Sequence, residues 1–364
     1  MASFQKRGKT WQYTISAKPK PIRKSGFRTK KEAQAAAAEV ETEMRKGVAP
    51  QLQPVPFDEY LENWIKRFKT DIESITLQKY MDSLGAVKRY FGDEPLQSIT
   101  RNAYQDFLNN YGKNHAKTSA QKLNSHIRAC IKDAIDEGII RVDFTRDVVY
   151  TGTPSKKASD KHLGYDESKQ LLQMIYDRLD RSTTHYLLLL ALTSGMRFGE
   201  IVGLQRNDFD FFNGIININK SWGYKKNMQD GFGETKNEAS VRKIKIDHET
   251  MRRFKQLFKN TPENIYQLVF YSPSSKYKVI NNGTANNVLV GMLDELKAQR
   301  ITVHGLRHTH ASVLLYKDVS IQYISRRLGH ADIDTTLNTY SHLIKEMEER
   351  DEQRSVEVFN SMLV

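Results

Sequence analysis

The chain has 364 residues, enough for one large core but better suited to two or three domains. Its formal charge of +13 calls for a polyanionic partner, and its single cysteine excludes an intramolecular disulfide and a multi-cysteine zinc site. No N-terminal apolar run resembles a signal peptide, and the longest apolar stretch, Tyr186 to Leu192, falls short of the about 20 residues needed to cross a bilayer. The expectation is a soluble, intracellular protein with no membrane partner.

Every charged residue before Glu32 is basic, from Lys6 to Lys31, which suits contact with phosphates. In this stretch Trp11, Tyr13 and Ile15 alternate as one face of a strand, and Gly26-Phe27 marks a second short strand. Thr29 is placed to cap an alanine-rich helix that runs to about Arg45. Residues 1–48 therefore read as a small sheet-plus-helix unit able to lay basic strands in a nucleic-acid groove. Gly8-Lys9-Thr10 looks like the end of a phosphate-binding loop, but Ser3 stands at the first glycine position and no preceding strand is predicted.

Pro50, Pro54 and Pro56 mark a linker. Beyond it Tyr60, Leu61, Trp64, Ile65 and Phe68 form an apolar stripe at helical spacing, and further helices fit Leu77–Phe91, Arg101–Tyr111 and Lys117–Glu137. Cys130 falls on such a stripe with Ile127, Ile131 and Ala134, as a buried structural thiol would. Residues 57–150 thus read as a helical domain with basic outward faces. A second linker follows at Thr151–Lys157. From 160 to 364 the pattern is mixed: helices at Asp166–Leu179 and Thr184–Leu192, strands at Gly214–Lys220 and Val241–Ile246, then several helices from His248 onward.

The chemistry-bearing residues lie in this last part. His304, Arg307 and His308 stand at i, i+3 and i+4, so a helix puts them on one face. An arginine there offers a planar fork for a phosphate and would repel a metal cation beside the two histidines. Thr193-Ser194-Gly195-Met196-Arg197-Phe198-Gly199-Glu200 supplies a second arginine at the opening of the next helix, near its positive end. Glu200 is read as orienting its neighbours. Lys236, between Gly231-Phe232-Gly233 and the strand at Val241, sits on or near a hairpin turn, where a mobile lysine can protonate a leaving oxygen. Leu328-Gly329-His330 precedes a short helical segment, Asp332–Asn338, and then Thr339-Tyr340. A nucleophilic tyrosine needs stabilised charge or a nearby base, because a phenol ionises only near pH 10.

Taken in order, these segments resemble the catalytic domain of the tyrosine recombinases, the phage-integrase family. Arg197 matches the family's first arginine in Gly-x-Arg-x-x-Glu, Lys236 its lysine, His304 and Arg307 its His-x-x-Arg box, His330 its Leu-Gly-His box and Tyr340 its nucleophile. No core position departs from the pattern. Residues 1–48 resemble an arm-type DNA-binding domain, 57–150 the helical core-type DNA-binding domain, and 160–364 the catalytic domain with its tail. The whole is similar to integrases of temperate phages and of conjugative elements of Gram-positive bacteria. The fold class implied is α+β and multidomain.

The resemblance also implies a mechanism. Tyr340 attacks the scissile phosphate to give a 3′-phosphotyrosyl bond and a free 5′-hydroxyl. Arg197 and Arg307 stabilise the charge of the transition state, and His330 donates a hydrogen bond. His304 serves as base or hydrogen-bond partner, and Lys236 as general acid. The phosphotyrosine conserves the phosphoester, so neither ATP, metal nor other cofactor is implied. The implied partners are double-stranded DNA bearing core-type and arm-type sites, a homotetramer of this chain on that DNA, an excision factor and a host DNA-bending protein, in the bacterial cytoplasm. Lys18, Lys20, Arg23, Lys24 and Arg28 are the expected DNA contacts of the N-terminal unit. Val356, Val358, Phe359, Met362 and Leu363 form an apolar tail patch, docking either in cis or on a neighbouring subunit. A type IB topoisomerase, a DNA-binding regulator without activity and a metal-dependent nuclease compete as readings. The separate basic N-terminal unit, the complete residue set and the lack of clustered carboxylates weigh against them in turn.

Overall fold

The computed structural model describes residues 2–16, 21–45, 54–154, 159–226, 228 and 230–362, and divides into two compact units, Met1–Ser155 and Lys156–Val364. Most of the first linker and part of the second lie outside the described residues.

The first unit opens with three antiparallel strands in sequence order: β1 (Ala2–Arg7), β2 (Thr10–Ile15) and β3 (Ile22–Phe27). Strand alternation turns Tyr13, Ile15 and Ile22 onto one buried face, where α1 (Lys30–Arg45) covers them. Ala33 and Ala37 are small enough to let that helix approach closely. The cap on α1 is reciprocal: Thr29 Oγ1 accepts from the Glu32 amide at 3.1 Å, and the Glu32 carboxylate accepts from the Arg28 amide at 3.0 Å. β1 is an addition to the two strands expected, and it corrects the reading of Gly8-Lys9-Thr10. A strand does precede these residues, but Gly8, at φ +59°, turns the chain into β2 and not into a helix. The segment is a hairpin turn, with no phosphate-binding helix behind it.

Four helices follow: α2 (Phe57–Phe68), α3 (Ser74–Phe91), α4 (Arg101–Gly112) and α5 (Lys117–Asp136). Of the expected stripe, Leu61, Trp64 and Ile65 are buried together with Phe57 against Val87, Phe91, Phe107, Leu108, Ile127 and Ile131, whereas Tyr60 is partly buried and Phe68 is exposed. Two polar contacts fix the register of this core. The Trp64 indole donates to Asp133 at 2.6 Å, while buried Asn124 accepts from the Tyr104 hydroxyl and donates to Tyr150, both at 2.8 Å. Cys130 is fully buried among them, and burial pushes its thiol pKa far up, so it is an inert packing residue.

The second unit is built around one helix. After α6 (Tyr165–Tyr176), α7 (Thr183–Ser194) carries buried residues all round from Leu187 to Leu192. Such a helix must be enclosed on every side, and the apolar run that was too short for a bilayer is this central helix. The short α8 (Phe198–Val202) leads to β4 (Phe209–Asp210), β5 (Ile215–Ile218), β6 (Ser221–Trp222), β7 (Phe232–Gly233) and β8 (Arg242–Lys245). These make an antiparallel sheet β4-β5-β8 and a two-stranded β6-β7 pair. Helices α9 (His248–Asn260), α10 (Asn282–Glu295), α11 (Val303–Tyr316), α12 (Ile321–Leu328) and α13 (Ile333–Ser361) complete the unit, with α6, α9, α10 and α11 packed against α7. Among the described residues no helix is long and apolar enough to cross a membrane.

Candidate active site

The site is assembled where α7, α11, α12 and α13 end or meet. Gly195 closes α7 at φ +69°, and a Cβ there would come within 2.7 Å of the His310 ring, so only glycine permits this turn. The turn delivers Arg197 to the N-cap of α8. That helix has five residues, so its dipole is small and the arginine is placed by side-chain contacts instead. Arg197 donates through Nη1 to Glu200 at 2.9 Å and to Ser240 at 3.0 Å, and through Nη2 to the Gly329 carbonyl at 2.9 Å.

Glu200 is the anchor of this arrangement. It is buried, and its two oxygens also accept from Arg242 at 3.2 and 2.9 Å. Burial alone would raise its pKa, but the Arg242 and Arg197 guanidiniums hold the carboxyl below its usual range. Arg242 in turn donates to the Arg327 carbonyl at 2.7 Å, and Arg327 reaches His310 Nε2 at 3.0 Å. His310 Nδ1 meets the Leu192 carbonyl at 2.8 Å. A carbonyl only accepts and an arginine only donates, so His310 is the neutral Nδ1–H tautomer. These groups tie α7, β8, α11 and α12 together beneath the site.

Arg307 lies one helical turn into α11 and is buried. Nη1 donates to the Gly195 carbonyl at 2.7 Å, whereas Nη2 has no hydrogen-bond partner among the described residues. Burial, then the nearby Arg197 charge, lowers its pKa to about 9. A buried guanidinium with a free N–H and a cationic neighbour is suited to bind an anion. His330 follows Gly329, the left-handed cap of α12, and its Nδ1 lies 2.7 Å from Thr336 Oγ1. Burial, Arg307 and Arg197 bring its pKa down to about 4, leaving a neutral ring. His304 presents part of its ring to solvent, yet crowding at the mouth of the site, followed by Arg307 and Arg197, still lowers its pKa.

Tyr340 is almost fully buried on α13, and its hydroxyl is hydrogen-bonded to His308 Nδ1 at 3.0 Å. Burial raises its pKa and Arg307 opposes that rise. Two sequence readings change here. Tyr340 does not follow a short helical segment; it lies within a helix that continues to Ser361. His308, given no catalytic role in the sequence reading, is the side chain that touches the phenol. Its i+4 spacing from His304 was the available signal.

Arg197, Arg307, His330, His304 and Tyr340 are thus electrostatically or directly coupled. Lys236 is not among them: it is exposed on the long connection between the paired strands β5 and β8, past β7. Of the N-terminal residues, Arg23 and Lys24 are exposed on β3 and Arg28 just after it, while Lys18 and Lys20 lie outside the described residues. The register adds a feature that charge alone did not show. Ser3 and Gln5 of β1, Gln12 and Thr14 of β2, and Arg23 and Ser25 of β3 share the face opposite α1, which is wholly polar. Among the described residues no group of three or more histidines, cysteines or carboxylates is placed to hold a metal.

Two arginines, a pair of neutral histidines and a phenol around one anion-binding position define a phosphodiester-handling centre of the tyrosine type. Comparison with known proteins agrees. A profile described as the phage integrase family matches residues 161–347, an arm DNA-binding domain matches 3–44, and an N-terminal SAM-like domain of phage integrases matches 56–111. The chain belongs to the phage integrase family, and it is a tyrosine recombinase that cuts and rejoins DNA at specific sites. It is 24% identical over 331 residues to the integrase of Staphylococcus phage L54a, covering 84% of this chain and 93% of that one. It is 23% identical over 333 residues to the ICEBs1 integrase of Bacillus subtilis, covering 86% of each. Its fold is similar to the Tn1549 transposon integrase in complex with a circular intermediate DNA, with a TM-score of 0.67, 18% identity, and 81% of this chain and 99% of that one covered. It is also similar to lambda integrase, solved as a tetramer bound to a Holliday junction, with a TM-score of 0.56, 18% identity, and 90% and 91% covered.

Proposed function

We propose that Tyr340 is the nucleophile by which this recombinase integrates and excises its mobile element, through a 3′-phosphotyrosyl intermediate. The observation that carries this reading is the buried Arg307, whose free Nη2 lies in the same electrostatic neighbourhood as the Tyr340 hydroxyl. A scissile phosphate seated there would satisfy that donor, screen Arg197 from Arg307, and present phosphorus to the phenol. Arg197 and Arg307 would then stabilise the added negative charge of the pentavalent transition state, already oriented by Glu200 and by backbone carbonyls. His330, with Nδ1 engaged by Thr336, would donate from Nε2 to a phosphate oxygen. His304 assists from the mouth of the site. Lys236 is the general acid for the 5′-oxygen, and its exposed connection has to close over bound DNA to reach it.

The N-terminal sheet reads arm-type sites through Lys18, Lys20, Arg23, Lys24 and Arg28, and the helical segment 57–150 reads core-type sites. Full recombination takes place in the cytoplasm, on a homotetramer of this chain, with an excision factor setting direction and a host protein bending the DNA. The tetramer on a junction described for lambda integrase supports the assembly.

The test is incubation with a nicked duplex carrying the attachment core, read on a denaturing gel. Wild type should form a covalent adduct and Tyr340→Phe should form none while still binding the duplex. An adduct from the phenylalanine variant would remove Tyr340 from the nucleophile's place.

A further inference from the structure

We infer that His308 is the group that takes the proton from the Tyr340 hydroxyl as the phenol attacks, an inference that rests on Tyr340 being the nucleophile. The geometry names it directly. Nδ1 of His308 is hydrogen-bonded to the phenol oxygen at 3.0 Å, and His304 packs edge-on against His308 with centroids 5.0 Å apart. Hydrogen-bond reach to the transferred proton is the first requirement of a general base, and His308 meets it before DNA arrives.

The surroundings fit the role. His304 and Arg307 on α11, Lys161 and His162 ahead of α6, and His330 after α12 are the charged and titratable groups that act on His308. Burial, then His304 and Arg307, bring its pKa to about 4, so near neutral pH the ring is uncharged. The Tyr340 hydroxyl then donates to a free Nδ1 lone pair, with the ring hydrogen on Nε2. An incoming phosphate brings negative charge among these cations and makes the ring more basic when the proton has to move.

The step balances. The Tyr340 oxygen bonds to phosphorus while its proton passes to His308 Nδ1, and the phosphorus–O5′ bond breaks with a proton supplied by Lys236. In rejoining, the partner 5′-hydroxyl gives its proton to the lysine, and the imidazolium returns its own to the departing tyrosine oxygen. Both groups end as they began, and no co-reactant is consumed.

The experiment is single-turnover adduct formation on the nicked duplex by His308→Ala and His308→Gln, each with Tyr340 as tyrosine or replaced by difluorotyrosine, whose phenol ionises far more readily. Gel-shift binding of the same duplex reports folding, and the near-isosteric glutamine keeps a hydrogen-bonding side chain should alanine fail to fold. Both variants should lose about 100-fold or more in rate, the usual contribution of general acid–base catalysis. Difluorotyrosine should return most of that loss, because a phenol that is already ionised needs no base. A glutamine variant at wild-type rate, or a defect that difluorotyrosine leaves unchanged, would overturn the inference. Neither result touches the nucleophile, which Tyr340→Phe tests separately.

Discussion

The histidines of α11 divide by what lies against them, and the division has a consequence for stability. His310 is buried between the Leu192 carbonyl and the Arg327 guanidinium, and its pKa falls from 6.5 to about 3, first because of burial and then because of Arg327. Between those two values the unfolded chain binds a proton that the folded chain refuses. Stability contributed by neutral His310 is therefore complete above pH 6.5 and is lost as pH falls toward 3. The loss is about 1.4 kcal/mol per pH unit for one such group. Denaturation midpoints measured from pH 7 to pH 5 should decline, and His310→Asn should flatten that decline by about one proton's worth of slope. An unaltered slope would mean that His310 is already protonated in the folded protein. The residues that carry their own local sequence, Arg197, His304, Arg307, His330 and Tyr340, are legible from the sequence alone. Those that position them are not. Arg242 acts on Glu200 and on the Arg327 carbonyl from 42 and 85 positions away, and no local spacing encodes contacts of that range.

Among the elements, the helices of residues 57–150 were readable to within a few positions because each has an apolar stripe and a polar far side. β4, β6 and β7 have two residues each, too few to show a period of two, and they went unseen. The length of α13 was missed for a different reason. Beyond Tyr340 the acidic run from Glu346 to Glu352 carries no apolar stripe, so periodicity gave no reason to extend the helix. Near the end of α13, Val356, Val358 and Met362 are exposed, so these side chains do not bury themselves in cis. Apolar groups left in water on a helix end favour an apolar groove on another copy. Deleting residues 355–364 should lower cooperative synapsis by about tenfold or more, the value of one buried anchor of about 1.4 kcal/mol. Binding of a single core site should persist. Synapsis equal to wild type would place the tail outside the assembly contacts.

At the scale of the whole molecule, the formal charge is +13, and one face of the N-terminal sheet sets a basic side chain among uncharged polar ones. Basic residues can bind phosphates of any sequence, and their contribution must weaken with salt. Uncharged side chains on a polar sheet face can read base edges, and their contribution need not. Arg23 lies on that face beside Gln12 and Thr14, and Gln12 also donates to Gln5 at 3.3 Å. Replacing Lys20, Arg23 and Lys24 together with alanine should weaken arm-site binding and reduce the log–log salt slope by up to about 3, near one for each phosphate no longer neutralised. Gln12→Ala should leave that slope unchanged and reduce discrimination between the arm site and unrelated duplex, by about 1–3 kcal/mol if it reads one base pair. Filter binding or anisotropy across a salt series measures both on the full chain. If the triple variant kept its slope, the phosphate-binding groups would lie elsewhere in the basic surface. If Gln12→Ala lowered affinity equally for both duplexes, the sheet would hold the arm without reading it, and sequence recognition would have to come from Arg23 or from the deformability of the arm DNA itself.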